Sequence, residues 1–380
     1  MRRNKVAFIM HPLNVLEFRQ KEFFYSPFER QVSWLLKKFS PNFVKHVFSN
    51  LPPHTFMEIS GFESLDKKIV DIIGVMCPMF PEEVVFNKDR AFEKVKKSVQ
   101  YAIKKNADVI VLAGFTSIIG NQGEDVKKYF SKKHKFVITS GNTLTSALCL
   151  NGIEKIVNFL NYDFKILTAS VIGATGDIGG ACAKILAKKC KKIVLSSRSL
   201  NSQNDLFVDI KENINSNVYI QNDIRLTAAN SDIVVLATSS VFPLLEIKDL
   251  KKGSIVCDVS LPHNVSMGDS VQEFNAFVFD GGKARVPKLS NLYPEKWKKF
   301  TNNFNCLPGC LAEGLILALE NILDDDFSLG RGNITVEKMD FIYSLAIKHG
   351  FDVANFAFHE KIYLNEELSF YKEKKSEKLG

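Results

Sequence analysis

The stretch VIGATGDIGG, residues 171–180, decides how the chain is read. An apolar run over 166–172 stops at Gly173, and Gly176 and Gly179 follow at three-residue spacing. From Asp177 onward the apolar positions Ala181, Ile185 and Leu186 follow a helical period. The pattern is strand, tight turn, helix. In such a unit the first glycine lets the chain turn, the second lets backbone approach a pyrophosphate, and the third lets the helix lie close on the strand. The free amides at the start of the helix then face an anion. Gly173, Thr175, Gly176, Asp177, Ile178 and Gly179 are therefore candidate cofactor contacts. A glycine triplet alone is also an ordinary turn; the strand before it and the helix after it give it weight.

Downstream, an apolar strand at 192–195 ends in Ser196, Ser197, Arg198 and Ser199, where an NAD site carries an acid for the ribose hydroxyls. No acid is present. Ser197 and Arg198 suit a 2'-phosphate, which favours NADPH; the plain alternative is an arginine in a solvated loop. Further strands are expected at 218–220, 232–238, 254–259 and 276–279, separated by helix-length segments, as in a doubly wound parallel sheet. Thr238 and Ser239 end one of these strands and DVSLPHN, 258–264, ends the next, both at the rim where a nicotinamide would lie. His263 in that loop could act as an acid or base, but a lone loop histidine is more often structural.

Upstream, a strand at 6–10 and an amphipathic helix at 30–39 are followed by a stretch punctuated by Pro52, Pro53, Pro78 and Pro81. A helix at 92–105 then feeds a buried strand at 108–112. That strand ends in AGFTSIIGNQG, 113–123, and another at 135–138 ends in TSGNTLTSA, 139–147, ahead of a connecting helix at 151–164. Open α/β sheets place ligands at the carboxyl ends of their strands, so Phe115, Thr116, Ser117, Asn142 and Thr143 are candidate substrate contacts. Turn chemistry alone could also explain either loop.

With 380 residues, two domains are the natural expectation from length. Hydrophobic residues at 46% and charged residues at 24% leave ample material for a core. The formal charge of +8 points to an acidic partner or to a solvated lysine-rich face, and lysines cluster at 127–135, 188–192, 296–299 and 372–378. No arginine stripe interleaved with aromatics argues for nucleic acid. Seven scattered cysteines do not form a disulfide framework and suggest a reducing, cytoplasmic compartment. His11 and Pro12 cut the first apolar run too short for a signal peptide. No transmembrane run is expected, which leaves peripheral contact with a membrane open.

The segment CLPGCLAEGLILALENIL, 306–323, breaks at Pro308 and Gly309 and then becomes an apolar helix, with Cys310 at its start. Free amides and the helix dipole at that position would lower a thiol pKa from about 8.5. Glu313 is placed like the acid of a capping box and could alternatively handle a proton. Taken alone, such a cysteine is also a small buried residue, and Cys306 with Cys310 lacks the second pair a metal site needs, so no metal is assigned.

AGFTSII (113–119), SGNTLT (140–145), VIGATGDIGG (171–180), CLAE (310–313), FSLGRGNITVEKM (327–339) and KHGF (348–351) together resemble the long-chain fatty acyl-[acyl-carrier-protein] reductases of the cyanobacterial, aldehyde-forming type. The resemblance implies an NADPH-dependent enzyme that reduces a fatty acyl thioester to an aldehyde, with Cys310 as nucleophile. It also implies an acyl carrier protein or coenzyme A as donor, and an enzyme downstream that consumes the aldehyde. The chain departs from the pattern at Pro308 and Gly309, at Cys306, and in its lysine-rich tail. An α/β protein is expected: an α/β substrate domain at 1–160, a Rossmann-type NADP-binding domain at 161–305, and closing C-terminal helices at 306–380 that carry the cysteine. A shikimate- or amino-acid-type dehydrogenase would share much of this plan without needing the cysteine. A non-catalytic NADP-binding protein would use the loops as ligand contacts only.

Overall fold

A computed structural model of the protein describes residues 2–15, 38–130, 136–198, 201–267, 276–287, 305–323, 327–330, 332–359 and 361–363. The helix expected at 30–39 and the lysine-rich tail fall almost wholly outside them. The chain forms two compact units. The first comprises Met1–Asn142, Val286–Asn333 and Phe341–Asp352, and the second Thr143–Arg285, Ile334–Asp340 and Val353–Gly380.

The first unit is built on a five-stranded sheet: β1 (Lys5–Met10), β2 (His54–Glu63), β3 (Ile69–Met76), β4 (Val109–Leu112) and β5 (Val137–Thr139), in the order β2-β3-β1-β4-β5. All pairings are parallel except that of β2 with β3. β1 and β4 are continuous apolar runs with buried interiors, as expected of parallel strands covered on both faces. β2 was hidden in the sequence because two register shifts, between Thr55 and Met57 and between Ile59 and Phe62, break the alternation that marks an antiparallel strand. Helix α1 (Lys88–Lys104) is capped by Asn87, whose side chain accepts from the Arg90 amide, and buries Ala91, Val95, Val99 and Ala102 along one stripe.

The second unit begins with α2 (Asn142–Phe159), which starts nine residues earlier than the helix expected at 151–164, because the hydroxyls of Thr143, Thr145 and Ser146 are buried helix positions. Its sheet comprises β6 (Thr168–Ile172), β7 (Lys192–Ser196), β8 (Val218–Ile220), β9 (Ile233–Leu236), β10 (Ile255–Asp258) and β11 (Phe277–Asp280). The order is β11-β10-β9-β6-β7-β8 and every pairing is parallel. This is the doubly wound Rossmann arrangement, with its reversal point between β6 and β9. Helix α3 (Asp177–Lys189) follows β6 directly.

The three consecutive domains expected from the sequence are interleaved instead. Helix α4 (Gly309–Leu319), together with residues 327–333 and 341–352, belongs to the first unit and not to a separate C-terminal segment. Gly314 explains why: a Cβ there would lie 2.1 Å from Val111 Cγ2 and 3.5 Å from Val6 Cγ1, so a bare backbone lets α4 lie directly on β4 and β1. Every residue of α4 except Cys310 is buried. Among the described residues no helix is long and apolar enough to cross a membrane.

Candidate functional sites

In the first unit the chain runs from β1 through β2 and β3 on one side and returns to β4 and β5 on the other, so a reversal point lies at β1. The carboxyl ends of β1, β4 and β5 there deliver His11, residues 113–118 and residues 139–142. Cys310, in the first turn of α4, is partly open to solvent, and the backbone amides of Leu311, of Cys310 itself and of Gly114 favour the charged form of its sulfur.

The 139–142 loop lies against the cysteine. Gly141 has φ +69°, and a Cβ on it would sit 2.1 Å from Cys310 Cα and 2.5 Å from its Cβ. Only glycine fits, for both reasons. A network of hydroxyls holds the loop there. Thr139 Oγ1 donates to Glu313 Oε1 at 2.5 Å and accepts from the Gly141 amide at 3.0 Å. Ser328 Oγ donates to the same Glu313 oxygen at 2.6 Å, and Ser140 Oγ donates to the Ser328 carbonyl at 2.6 Å. Glu313 is fully buried. It is not the acid of a capping box, since Pro308 occupies the cap and no side chain bonds there; it ties three distant segments together beneath the cysteine.

The expectation of a lowered thiol pKa is overturned. Burial pushes the Cys310 thiol up to about 12, the Glu313 carboxylate adds to the rise, and the Leu311, Cys310 and Gly114 amides offset only part of it. Helix-end stabilisation acts over one turn, whereas removal of water from around a thiolate acts on its whole charge.

Of the substrate candidates, Thr116 Oγ1 donates to the Ala113 carbonyl at 2.9 Å and Ser117 Oγ to the Gly114 carbonyl at 2.7 Å. Their hydroxyls shape the loop. Phe115 is buried, Asn142 is half-buried with its amide on Ser140 Oγ, and Thr143 is fully buried within α2. Sequence reasoning missed His11 and the role of Ser328. His11 is a buried ring whose Nε2 accepts from the Phe115 amide at 2.9 Å and whose Nδ1 lies 2.9 Å from the Pro12 carbonyl oxygen. Burial lowers its pKa, so it is neutral.

In the second unit, Gly173 has φ +90°, and a Cβ there would meet the Ala237 carbonyl oxygen at 2.3 Å. A Cβ on Gly179 would lie 2.2 Å from the Gly173 carbonyl oxygen, so this glycine sets the close approach of α3 to β6. Gly176 caps α3 and Asp177 opens it. Ile178 packs against the core. The Gly173 and Ala174 amides both donate to the Ser196 carbonyl, and Thr175 Oγ1 lies 2.7 Å from Ser197 Oγ, which joins the turn to the end of β7. Arg198 is exposed just beyond. The turn forms a cradle of bare backbone, with the free amides of α3 at its edge and Arg198 exposed beyond Ser197, and these groups fit a dinucleotide phosphate. At the next strand ends, Thr238 hydrogen-bonds Asn264 through its hydroxyl and Ser260 through its amide, while Ser239 is exposed. His263 lies between Asp258 and Asp280, at 3.9 and 3.6 Å, and against His359.

A family model described as Shikimate / quinate 5-dehydrogenase matches residues 154–280, the span of the second sheet. Aminotransferase PigE from Serratia sp. is 26% identical over 292 residues, which cover 75% of this chain and 33% of that protein. The chain thus spans about one third of that relative. The long-chain acyl-[acyl-carrier-protein] reductase of Synechococcus elongatus is 27% identical over 323 residues, 80% of this chain and 88% of that one. A crystal structure of apo D-mandelate dehydrogenase from Rhodotorula graminis covers 91% of this chain and 93% of its own at 11% identity, with a TM-score of only 0.34. The sequence matches and the Rossmann-type unit support a nicotinamide-dependent oxidoreductase.

Proposed function

We propose that the protein reduces a long-chain fatty acyl thioester to an aldehyde with NADPH, through an acyl-enzyme on Cys310. The observation that carries this reading is the cysteine itself: on a helix otherwise buried, Cys310 alone reaches solvent, at the strand ends where the 139–142 loop packs against it. The distant match to an acyl-carrier-protein reductase, which covers most of both chains, agrees with it. The match to shikimate-type dehydrogenases covers the dinucleotide unit and leaves the cysteine unit aside.

Cys310 rests as a thiol. Its sulfur attacks the thioester carbonyl carbon, the bond to the donor sulfur breaks, and the cysteine proton leaves with the departing thiol, so acyl transfer is neutral in protons. The Leu311 and Gly114 amides steady the negative charge that develops at the sulfur. NADPH supplies the hydride that reduces the acyl carbonyl carbon. The resulting hemithioacetal anion then collapses: its C–S bond breaks, the aldehyde leaves, and the thiolate takes a proton from solvent. Gly173, Gly176 and Gly179 hold the pyrophosphate, and Arg198 with Ser197 selects the 2'-phosphate. The basic chain suits an acidic acyl carrier protein as donor.

The test is mass spectrometry of the protein incubated with a long-chain acyl thioester and no NADPH. One acyl group is expected on the peptide containing Cys310. Cys310→Ser should abolish both this adduct and aldehyde formation while NADPH still binds. Aldehyde production by the serine variant would replace the covalent route with direct reduction.

A further inference from the structure

The strap at 327–330 opens the run FSLGRGNITVEKM and takes no part in the steps above, yet Phe327, Ser328 and Leu329 are all buried. Ser328 uses both of its polar groups beneath the cysteine: Oγ donates to Glu313 Oε1 at 2.6 Å, and the carbonyl accepts from Ser140 Oγ at 2.6 Å. Thr139 Oγ1 donates to that same Glu313 oxygen at 2.5 Å and accepts from the Gly141 amide at 3.0 Å. Gly141 is the residue whose Cβ position falls 2.1 Å from Cys310 Cα. The strap therefore grips the cysteine loop at two successive residues, at Ser140 directly and at Thr139 through Glu313.

A left-handed turn holds the strap from its other side. Gly120, Asn121, Gln122 and Gly123 have φ of +61°, +50°, +59° and +82°, a conformation that residues with a Cβ rarely adopt. Asn121 Nδ2 donates to Glu124 Oε2 at 2.6 Å, and the Gln122 carbonyl accepts from the Gly330 amide at 3.4 Å. A Cβ on Gly123 would lie 2.9 Å from both Leu112 Cδ1 and Leu329 Cδ2, so bare backbone lets the turn close on the strap.

We propose that Thr139 and Ser328 are positioning residues for Cys310: through the one Glu313 oxygen they share, they fix the 139–142 loop against the cysteine, with the strap as the rigid support. The proposal rests on Cys310 as nucleophile. A shift of about 1 Å in groups that set a reacting geometry costs up to about 100-fold in rate.

The deciding pair is Thr139→Val and Thr139→Ser. Valine keeps the branched shape and removes, at one atom, both the bond to Glu313 and the acceptor for Gly141; serine keeps both. The readout is the rate of acyl adduct formation on Cys310 with a long-chain acyl thioester and no NADPH, with thermal midpoints measured in parallel. Thr139→Val should slow acylation about 10- to 100-fold, and Thr139→Ser should recover most of the loss. Ser328→Ala should slow it about 10-fold alone and add little to Thr139→Val, because both act through the same carboxylate oxygen. Iodoacetamide, which needs no orientation by the loop, should alkylate Cys310 at least as fast in Thr139→Val as in the wild type, since a loosened loop admits water to the thiol. Wild-type acylation in Thr139→Val, equal loss in Thr139→Ser, or slower alkylation would each overturn the proposal, even if thermal midpoints fall. If the wild-type protein is alkylated at Cys310 but takes no acyl group, the acyl-enzyme reading falls and the positioning role falls with it. An acyl adduct that forms equally fast in the wild type and in Thr139→Val removes the positioning role alone.

Discussion

The two sites are made in opposite ways. The cradle of the second unit is almost all backbone, drawn from one continuous stretch, 171–180, with the ends of β7 and β9 as neighbours. The cysteine site of the first unit is assembled from five separated pieces: His11, Gly114, residues 139–142, residues 310–313 and Ser328. A site built from local turn geometry is written in spacing. A site built from hydroxyl-to-carboxylate bonds between distant segments is not, and it depends on every piece being held in register.

That contrast can be broken at a single atom. Gly141→Ala adds a methyl 2.1 Å from Cys310 Cα at a φ that disfavours it, so the loop must shift off the cysteine. Turnover should fall at least about 100-fold with NADPH affinity unchanged. Retained activity would show that the loop does not need its contact with Cys310. On the dinucleotide side, Arg198→Ala should weaken NADPH by about 1.5–3 kcal/mol, as for a lost charged hydrogen bond, while NADH binding stays the same. Titration of both nucleotides checks it, and equal weakening would refute the 2'-phosphate role.

A smaller effect is expected at the far end of α4, where Glu320 meets Lys348, Lys68 and His349 at 2.7–2.8 Å. Burial alone would raise this carboxyl, but those hydrogen bonds hold it down at about 2. Its folded value lies below its ordinary one of 4.5, so its contribution to stability is present above about pH 4.5 and is lost as pH falls toward 2. Glu320→Gln should therefore destabilise the protein modestly at pH 7 and make no difference near pH 2. Denaturant midpoints measured across that range test the sign, and a constant offset would contradict it.

Most of the parallel strands were legible because they carry short apolar runs, as in IVVL at β9 and VIVL at β4, but β3 was not, since Asp71 and Gly74 interrupt its run. The pairing of β2 with β3 was not, since bulges scramble its alternation and Gly74 leaves room for the Phe56 ring, where a Cβ would lie 2.5 Å from Phe56 Cζ. Cys310 could be singled out from its place after a Pro-Gly break. The direction of its pKa could not, because sequence shows the helix start but not how closely the 113–118 and 139–142 loops surround the thiol. Glu313 was noticed for its spacing from the cysteine, and its partners Thr139 and Ser328 lie 174 and 15 residues away. His11 left no signal beyond being a histidine at a strand end.

The seating of α4 on β1 and β4 also sets an order of events during synthesis. The face of β1 and β4 that receives Gly314 is made early, but the helix that covers it leaves the ribosome only after the whole of 143–285 has been translated. The sheet of the second unit lies within 143–285 and can form before α4 is made, while β1 and β4 wait with that face uncovered, which leaves it open in the interval to aggregation and to chaperone capture. Since Cys310 sits at the start of that same helix, it takes its place beside the 139–142 loop only once α4 has been made and has docked on the sheet.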